Sequence, residues 1–505
     1  MGDQKGPRRD RGPAPWVARW GVCLGPALLS LGLGLWGLTR HDSMWRDESV
    51  TYQMAHRDAG DIWRTAGHID AVHGAYYGLM RLVFSGWEGG LVALRLPSVL
   101  ATAVAAGLVA LLATRMCGPR AGLLAGAAFA LTPLVRFYAQ EGRSYAIVCA
   151  CVVAATYAYV RAVQGGGARW WVAYGGLLVG AVVLHEFAVL VLMAHGVSLW
   201  LGGVGYARVA WGRCVAGVLL VVAPLAVLSA RQSGAQLVWL GRPSGAEWAV
   251  HVGACGAGVL LFRLAGGRRR EFSAVAVALP LLAVPGGLLL VVSLVKPYYV
   301  DRYVLYGWVG LALLIGAGAD RLIGAVPAVR RDAARDLAAL AVVAAIGAVP
   351  WLGSPPARSP ESRLDDVVAI SRAVREVARP GDAVLYLPAR RREWAMSYPR
   401  QYGALRDVAL ARTPVASGTL QGEEASAARI RRALEREPRV VALMDPAGQP
   451  LDAVDREAVK RSVLRDRFQR CRVLAVHGAR VALYARPGHC PPHRSGTLPR
   501  DPHLP

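Results

Sequence analysis

Long apolar segments recur through the first 355 residues and constrain the fold more than any other feature of the sequence. Most are about 17–25 residues long, the length that an α-helix needs to cross the hydrocarbon core of a bilayer. Residues 356–505 contain no such segment. The sequence therefore predicts a polytopic α-helical membrane protein, with a transmembrane domain over residues 1–355 and a water-soluble domain over residues 356–505.

The basic residues of the chain are best explained by membrane topology. The formal net charge is +24, but many arginines lie in short loops between apolar segments, where positive charge marks the cytoplasmic side. Neither zinc-finger spacing nor an RNA-binding signature accompanies them, so we do not expect a nucleic-acid partner. The basic segment "DQKGPRRDRG" precedes the first apolar segment and predicts a cytoplasmic N-terminus.

The alternation of arginine-rich loops with acidic or aromatic loops predicts about eleven spans. The apolar stretch at 170–203 is too long for one helix and is interrupted at "LHEF", so we expect two spans that meet at an outer turn around His185 and Glu186. An odd number of spans places the C-terminal domain outside the cytoplasm, in a multi-pass protein of the plasma membrane. The first outer loop is residues 39–91. One further span follows "KPYYVDRY" and returns to the inside at Arg321. The remaining spans are expected at about 16–38, 92–113, 121–138, 145–161, 214–230, 248–265, 272–295 and 336–353.

The soluble part of the chain follows a Pro/Ser-rich linker and has an α/β pattern. Strands are predicted at "DAVLYLP" and "RVVALMD", helices around 364–378, near 423–436 and over "LDAVDREAVKRSVLRDRF", and a hairpin that turns at His477–Gly478. Cys471 and Cys490 flank the hairpin. A disulfide between them is feasible in an oxidising compartment, and two free thiols are the open alternative.

Ionisable and aromatic residues collect on the predicted outer side, close to the membrane surface. Polar groups that recur in this way in a membrane protein usually converge on a site. Carboxylates are suited to deprotonating a hydroxyl, Lys and Arg to binding a phosphate, and aromatic rings to contacting a sugar. The residues therefore predict transfer of a sugar from a lipid phosphate to a hydroxyl. The ionisable set is Asp47, Glu48, Asp70, His73, Glu141, Arg143, His185, Glu186, Lys296, Asp301 and Arg302.

Six segments between residues 40 and 310 carry a family resemblance, and they occur in the family's order. They are "MWRDESVTYQMA", "DAVHGAYYGLMRLV", "ALRLPSVLA", "RFYAQEGRSYA", "LHEFAVL" and "YVDRYVLY". The chain resembles the GT-C superfamily of polyprenyl-phosphate-sugar glycosyltransferases, above all the bacterial branch related to protein O-mannosyltransferases and the lipid A aminoarabinose transferase. Two departures, "HGAYY" without paired prolines and "HEF" with Glu in place of an aromatic residue, bear on the identity of the sugar or acceptor.

The resemblance implies a role for each matching residue. Asp47 would be the general base of an inverting transfer, and Glu48 would orient the acceptor or the base. The donor would be a polyprenyl-phosphate sugar, and the acceptor a protein, a glycolipid or a polysaccharide. The sugar stays open between mannose, arabinose, aminoarabinose and others, and the Ala/Gly/Arg/Val-rich composition favours mannose. Some members of the family place a divalent cation near such carboxylates, but this sequence shows no ligand set that requires one. The donor phosphate would be bound by Arg143, Lys296 and Arg302, and the sugar or acceptor pocket would be formed by Asp70, His73, Tyr145, His185, Glu186 and Tyr303.

Other interpretations of these residues stay open at this point. Asp47 and Glu48 also fit a solvated first turn of a loop helix, His185 and Glu186 a turn without chemistry, and Arg143 a side chain that reaches up to the headgroups. A transporter or flippase for a lipid-linked sugar is the main alternative function. Transporters place polar residues near the bilayer midplane and often show internal repeats, and the sequence shows neither feature. A non-catalytic partner of a sugar-polymer synthase is a third reading.

Overall fold

A computed structural model describes residues 16–39, 42–236, 241–264, 274–325 and 359–491. Five of its helices are long and apolar enough to cross a membrane, and a sixth span is formed by a pair of helices bent by 63°. Four shorter apolar helices accompany them. Together they match the predicted spans in order as far as residue 325, whereas the predicted span at 336–353 and the domain boundary at 355 lie outside the described residues.

The described residues of the transmembrane part form fourteen α-helices in chain order, which include those of the first loop. They are α1 (Trp16–Leu35), α2 (Arg46–Ala55), α3 (Ala59–His68), α4 (Ala71–Gly86), α5 (Gly90–Cys117), α6 (Pro119–Leu131), α7 (Pro133–Ala139), α8 (Tyr145–Val163), α9 (Ala168–Leu184), α10 (Leu190–Leu201), α11 (Arg208–Gln236), α12 (Gly245–Leu264), α13 (Ala274–Val292) and α14 (Trp308–Ala325). Short 3₁₀ helices at Glu186–Val189 and Asp301–Gly307 precede α10 and α14.

Two breaks in the apolar segments have local causes. Thr132 has ψ 124°, outside the helical region, because the ring of Pro133 disfavours a helical conformation in the residue before it. This break separates α6 from α7 within one predicted span. His185 is extended, with φ −165° and ψ 116°, and it ends α9. The predicted division of residues 170–203 into two helices is therefore confirmed.

Small residues let the spans approach closely. A Cβ atom added at Gly310 would lie 2.2 Å from the carbonyl oxygen of Ala278, and one added at Gly316 would lie 2.5 Å from that of Ala121. Glycine at these positions therefore brings α14 into backbone contact with α13 and α6, a common device for packing helices in a membrane.

The C-terminal domain is built on a five-stranded sheet with the order β2–β1–β5–β7–β6. β1 pairs in parallel with β2 and β5, whereas β7 pairs antiparallel with β5 and β6. Buried residues cover both faces of the sheet, which confirms the predicted α/β domain. The strands are β1 (Ala383–Leu387), β2 (Arg406–Asp407), β5 (Arg439–Met444), β6 (Gln469–Val476) and β7 (Ala479–Ala485), with β3 (Leu410–Arg412) and β4 (Glu423–Glu424) forming a separate pair.

Helices and a disulfide complete this domain. Cys471 and Cys490 are bonded, so the structure decides the alternative that the sequence left open. The hairpin β6–β7 turns at the predicted residues, His477 and Gly478. The helices are α15 (Val367–Val377), α16 (Glu393–Met396), α17 (Pro399–Tyr402), α18 (Pro414–Ser417), α19 (Ala427–Leu434) and α20 (Asp455–Arg467), and 3₁₀ turns lie at Pro360–Ser362 and Ala389–Arg392.

Candidate active site

Asp47 lies in the first turn of α2, at the end of the bundle that carries the first loop. The amide groups of a helix N-terminus favour a negative charge at this position. The side chain of Asp47 is 21% exposed, so a ligand can reach it. Its Oδ2 atom lies 3.5 Å from Nη2 of Arg302, a residue from the 3₁₀ turn before α14. Two residues that are 255 positions apart in the chain therefore share one site.

Arg302 is held by aromatic rings and by its neighbour in the chain. Its guanidinium carbon lies 5.6 Å from the ring centres of Tyr145 and Tyr303 and 5.8 Å from that of Trp45, all within the range of cation–π attraction. Oδ1 of Asp301 accepts hydrogen bonds from the Arg302 amide at 2.7 Å and from the Tyr138 hydroxyl at 2.8 Å. The turn that presents the guanidinium to Asp47 is therefore fixed at its first residue.

Glu48 points away from this opening and is fully buried against Arg95. The guanidinium donates from Nε to Oε1 at 2.8 Å and from Nη2 to Oε2 at 2.7 Å, and the amide of Gly142 donates to Oε1 at 3.0 Å. Both charged side chains are 0% exposed. A Cβ at position 142 would lie 2.5 Å from Cγ of Leu94, so glycine is what lets this amide approach. The carboxylate therefore joins α2 to α5 and to the turn before α8.

Asp70, His73 and Arg143 form a buried chain behind Asp47. Oδ1 of Asp70 lies 2.8 Å from Nδ1 of His73, and Nε2 of His73 lies 2.7 Å from Nη2 of Arg143. Because a guanidinium only donates, His73 accepts at Nε2 and carries its proton on Nδ1. Nη1 of Arg143 also donates to Thr51, whose hydroxyl donates to the carbonyl of Asp47, both at 3.2 Å.

The electrostatics of this chain favour a neutral histidine between two charges. Burial and the nearby Arg143 lower the pKa of His73, and Asp70 opposes this only in part. Burial raises the pKa of Asp70, but His73 and Arg143 outweigh it and leave the pKa below its usual value. Asp70 also adopts a left-handed backbone conformation with φ 63°, which is uncommon for a residue other than glycine and typical of functional sites.

Tyr145, His185 and Tyr303 line the inner wall of the site. The His185 ring lies 4.6 Å from Tyr303, 5.5 Å from Tyr145 and 5.9 Å from His73. His185 is buried, and burial together with His73 and Arg143 holds its pKa well below the usual value, so the ring is neutral. Its Nδ1 atom is buried and has no hydrogen-bond partner among the described residues. Glu186 begins the next turn and is partly buried.

Lys296 lies six residues before Arg302 in the chain. Its side chain is exposed, and Nζ lies 5.2 Å from the ring centre of Tyr298. Arg302 thus contacts Asp47, whereas Lys296 contacts an aromatic ring. Binding of the donor phosphate by Arg143, Lys296 and Arg302 stays a prediction.

Three groups near the site had no assigned role in the sequence interpretation. Arg95 lies in the segment "ALRLPSVLA" at the start of an apolar span. A charged residue at that position is a signal that could have singled out Arg95 from the sequence. Glu141 is fully buried, and neither carboxylate oxygen has a hydrogen-bond partner among the described residues. Burial raises its pKa, and Arg363 and Arg302 oppose the increase. Glu393 of the C-terminal domain comes within electrostatic range of Arg46 and Asp47, a proximity for which the sequence carries no local signal.

A metal centre does not emerge from the described residues. No three His, Cys, Asp or Glu side chains among them converge in a way that could hold an ion.

A cavity of about 300 Å³ opens beside Asp301, next to the turn that carries Arg302. Apolar residues form most of its wall, and Glu247, His251 and Tyr299 supply the polar groups. The cavity lies between α12, α13 and the start of α14.

Comparison with known proteins finds one family model that matches part of the chain. Residues 76–228 match the family model described as dolichyl-phosphate-mannose-protein mannosyltransferase, which is less than half of the chain. The matched region begins after Asp47 and ends before Arg302. No curated protein sequence matches the chain.

One solved structure shows the same fold at low sequence identity. The crystal structure of ArnT from Cupriavidus metallidurans in the apo state has a TM-score of 0.57 at 12% identity, and the match covers 92% of this chain and 98% of that one. The same protein bound to undecaprenyl phosphate gives a TM-score of 0.48 at 15% identity, with coverages of 94% and 99%. The arabinosyltransferase EmbB from Mycobacterium smegmatis gives 0.40 at 17%, with 67% of this chain covering 34% of EmbB. The likeness to apo ArnT confirms the expected fold, a polytopic helical membrane domain followed by a C-terminal α/β domain.

Proposed function

We propose that this chain, a GT-C membrane glycosyltransferase, transfers a sugar from a polyprenyl phosphate to a hydroxyl group with inversion, and that Asp47 is the general base. The observation that carries the proposal is the shared site of Asp47 and Arg302, a carboxylate and a guanidinium 3.5 Å apart at the loop end of the bundle. This pair supplies the two functions that the reaction requires, proton acceptance and charge stabilisation of a phosphate.

The chemistry follows from the positions of the two groups. The acceptor hydroxyl transfers its proton to the Asp47 carboxylate while its oxygen attacks the anomeric carbon. The bond between that carbon and the phosphate oxygen breaks, and both electrons leave with the polyprenyl phosphate. Arg302 stabilises the departing anion, so no acid is needed to protonate it. Because base and leaving group lie on opposite faces of the sugar, the anomeric configuration inverts.

The loose contact between Asp47 and Arg302 has a role in this scheme. At 3.5 Å the hydrogen bond is at the weak end of the normal range. A phosphate can accept two parallel hydrogen bonds from the guanidinium and so replace the carboxylate as its partner. Donor binding would thus withdraw Arg302 from Asp47 and leave the carboxylate free to accept a proton.

The groups around Arg302 are of the kinds that sugar and phosphate sites use. His185, Tyr145 and Tyr303 form a buried cluster of rings, and the two tyrosine rings contact the Arg302 guanidinium. Arg143 is a second cation behind Asp47, oriented by His73. The apolar cavity beside Asp301 suits the first isoprene units of the donor.

Mannose is the sugar we propose first, because the matching family model is named for dolichyl-phosphate-mannose. The acceptor class stays open between a protein hydroxyl, a glycolipid and a polysaccharide. We also propose that the N-terminus is cytoplasmic and that the C-terminal domain lies outside the cytoplasm.

Turnover by purified protein in nanodiscs tests the proposal. With polyprenyl-phosphate mannose and candidate acceptors, the wild-type protein should release polyprenyl phosphate. Asp47→Asn should lower kcat by roughly 10²–10⁴-fold, the usual contribution of a general base. Asp466→Asn, at a carboxylate that is 53% exposed on α20, is the matched control and should retain activity. Full turnover by Asp47→Asn would remove Asp47 as the base.

The phosphate assignment has its own test. Arg302→Ala should raise the KM for the donor, because the guanidinium binds its phosphate. Arg208→Ala changes an exposed arginine at the start of α11 and should leave KM unchanged. Equal effects of the two substitutions would contradict a specific contact between Arg302 and the phosphate. A transporter would instead move intact donor between leaflets without releasing polyprenyl phosphate.

A further inference from the structure

The segment that leads into α2 is held by the C-terminal domain. The Tyr398 hydroxyl lies 3.1 Å from the amide of Met44 and donates to the carbonyl of Asp42 at 2.9 Å. The amide of Val367 donates to the carbonyl of Met44 at 3.3 Å. Residues 42–46 therefore take their backbone partners largely from a domain more than 300 positions later in the chain.

The N-terminus of α2 lacks a cap from its own sequence. Trp45 is the N-cap residue, and its side chain makes no capping hydrogen bond. The first amides of a helix have no partner within the helix and need an external acceptor. The amide of Arg46 finds one in Oδ1 of Asp365 at 2.9 Å. Asp365 thus caps α2 from another domain, one residue before Asp47.

Asp365 is itself rigidly placed. It is 2% exposed, and its second oxygen accepts a hydrogen bond from Nε1 of Trp394 at 2.9 Å. Trp394 is fully buried in the core of the C-terminal domain, and Nη1 of Arg391 lies 3.9 Å from the same carboxylate oxygen. One oxygen of Asp365 is therefore fixed by the domain core and the other by the helix that carries Asp47.

We propose that Asp365 is a positioning residue for the transfer reaction: by capping α2 across the domain interface, it fixes the direction of the Asp47 side chain. The inference rests on the function proposed above. It assigns the C-terminal domain a part in the reaction, because the base reaches its working position only when this domain is docked. Asp365 touches neither substrate nor reacting atoms, and it acts through the first turn of α2.

Asp365→Ala in the full chain tests the proposal through kcat and KM. A small misplacement of a base costs up to about 10²-fold in rate. We expect kcat to fall by about 10–10²-fold, while the KM for the donor changes little because Arg302 is untouched. Asp365→Asn retains one acceptor oxygen and should recover part of kcat. An unchanged kcat in the alanine variant, or a donor KM raised as much as kcat is lowered, would overturn the proposal.

Asp382→Ala is the matched control for general damage to the domain. Asp382 is also buried, accepts a backbone amide at 2.8 Å from Arg379 and pairs with an arginine, Arg439, at 3.0 Å, but all of its partners lie within the C-terminal domain. If Asp382→Ala lowered kcat as much as Asp365→Ala, the effect would be one of domain stability and the positioning role would be wrong.

Amide hydrogen exchange separates this proposal from the proposed function. Exchange of the first turn of α2 should become faster in Asp365→Ala and stay as in wild type in Asp382→Ala. This readout needs no turnover, so it holds even if Asp47 proves not to be the base. Unchanged exchange in Asp365→Ala would show that α2 does not depend on the cap and would refute the inference.

Discussion

The buried pair of Glu48 and Arg95 makes the sharpest prediction for stability. Arg95 donates two hydrogen bonds to Glu48 and one each to the carbonyls of Leu38 and Ser43, both at 2.6 Å. Arg95→Met removes all four and leaves a carboxylate with 0% exposure without its counter-charge. Breaking a buried pair in this way costs about 3–5 kcal/mol of unfolding free energy.

Denaturant unfolding in mixed micelles would measure this loss. Arg465→Met is the control, because Arg465 and Asp466 form a pair that is 77% and 53% exposed, and such pairs contribute about 0–1 kcal/mol. The double variant Arg95→Met/Glu48→Gln should recover part of the loss, since no charge is then left buried alone. A cost below about 1 kcal/mol for Arg95→Met, or a double variant equal to the sum of the singles, would refute the reasoning.

Two further predictions concern the C-terminal domain. Burial raises the pKa of Glu393 to about 7, with Asp47 adding to the increase and Gln421, Arg46 and Arg391 opposing it. A carboxyl whose pKa is raised by folding costs stability as pH rises from its usual pKa to the raised value. The wild-type melting temperature should therefore decrease as the pH is raised from about 4.5 to about 7. Glu393→Gln should lack the part of this decrease that Glu393 causes. Parallel pH profiles of the two proteins would contradict the assignment. Cys471→Ser removes a bond that joins residues 19 positions apart and should lower the free energy of unfolding by about 2–4 kcal/mol. In mass spectrometry of the wild-type protein, Cys471 and Cys490 should be alkylated only after reduction, and alkylation without reduction would contradict the bond.

Local patterns were enough to predict the spans as far as residue 325 and four strands and three helices of the C-terminal domain, but not the helices of the first loop or the short strands β2–β4. The length of apolar segments predicts spans because a helix must satisfy its own backbone hydrogen bonds in the bilayer. A polar pair such as His185–Glu186 within such a stretch marks a break for the same reason. Alternation of strand and helix patterns after residue 356 likewise predicts the α/β domain, because each element must bury one face.

The composition of the candidate site was predictable only in part. Sequence motifs singled out Asp47, His73 and Arg302, and the structure brings them to one end of the bundle. The same reasoning grouped Lys296 with them, yet its side chain lies exposed over Tyr298. Local sequence gives the side of the membrane on which a residue lies, but the direction of its side chain depends on how the spans pack.

The sequence by itself determined which segments cross the membrane, where they break and which polar residues collect at one end. The tertiary structure alone decided that Glu48 turns inward to Arg95, that Arg302 meets Asp47, and that Asp365 caps the helix on which Asp47 stands. The physical reason is range. Hydropathy and turn propensity act over neighbouring residues, whereas these three contacts join groups that are 47, 255 and 319 positions apart and exist only once the helices and the C-terminal domain have packed together.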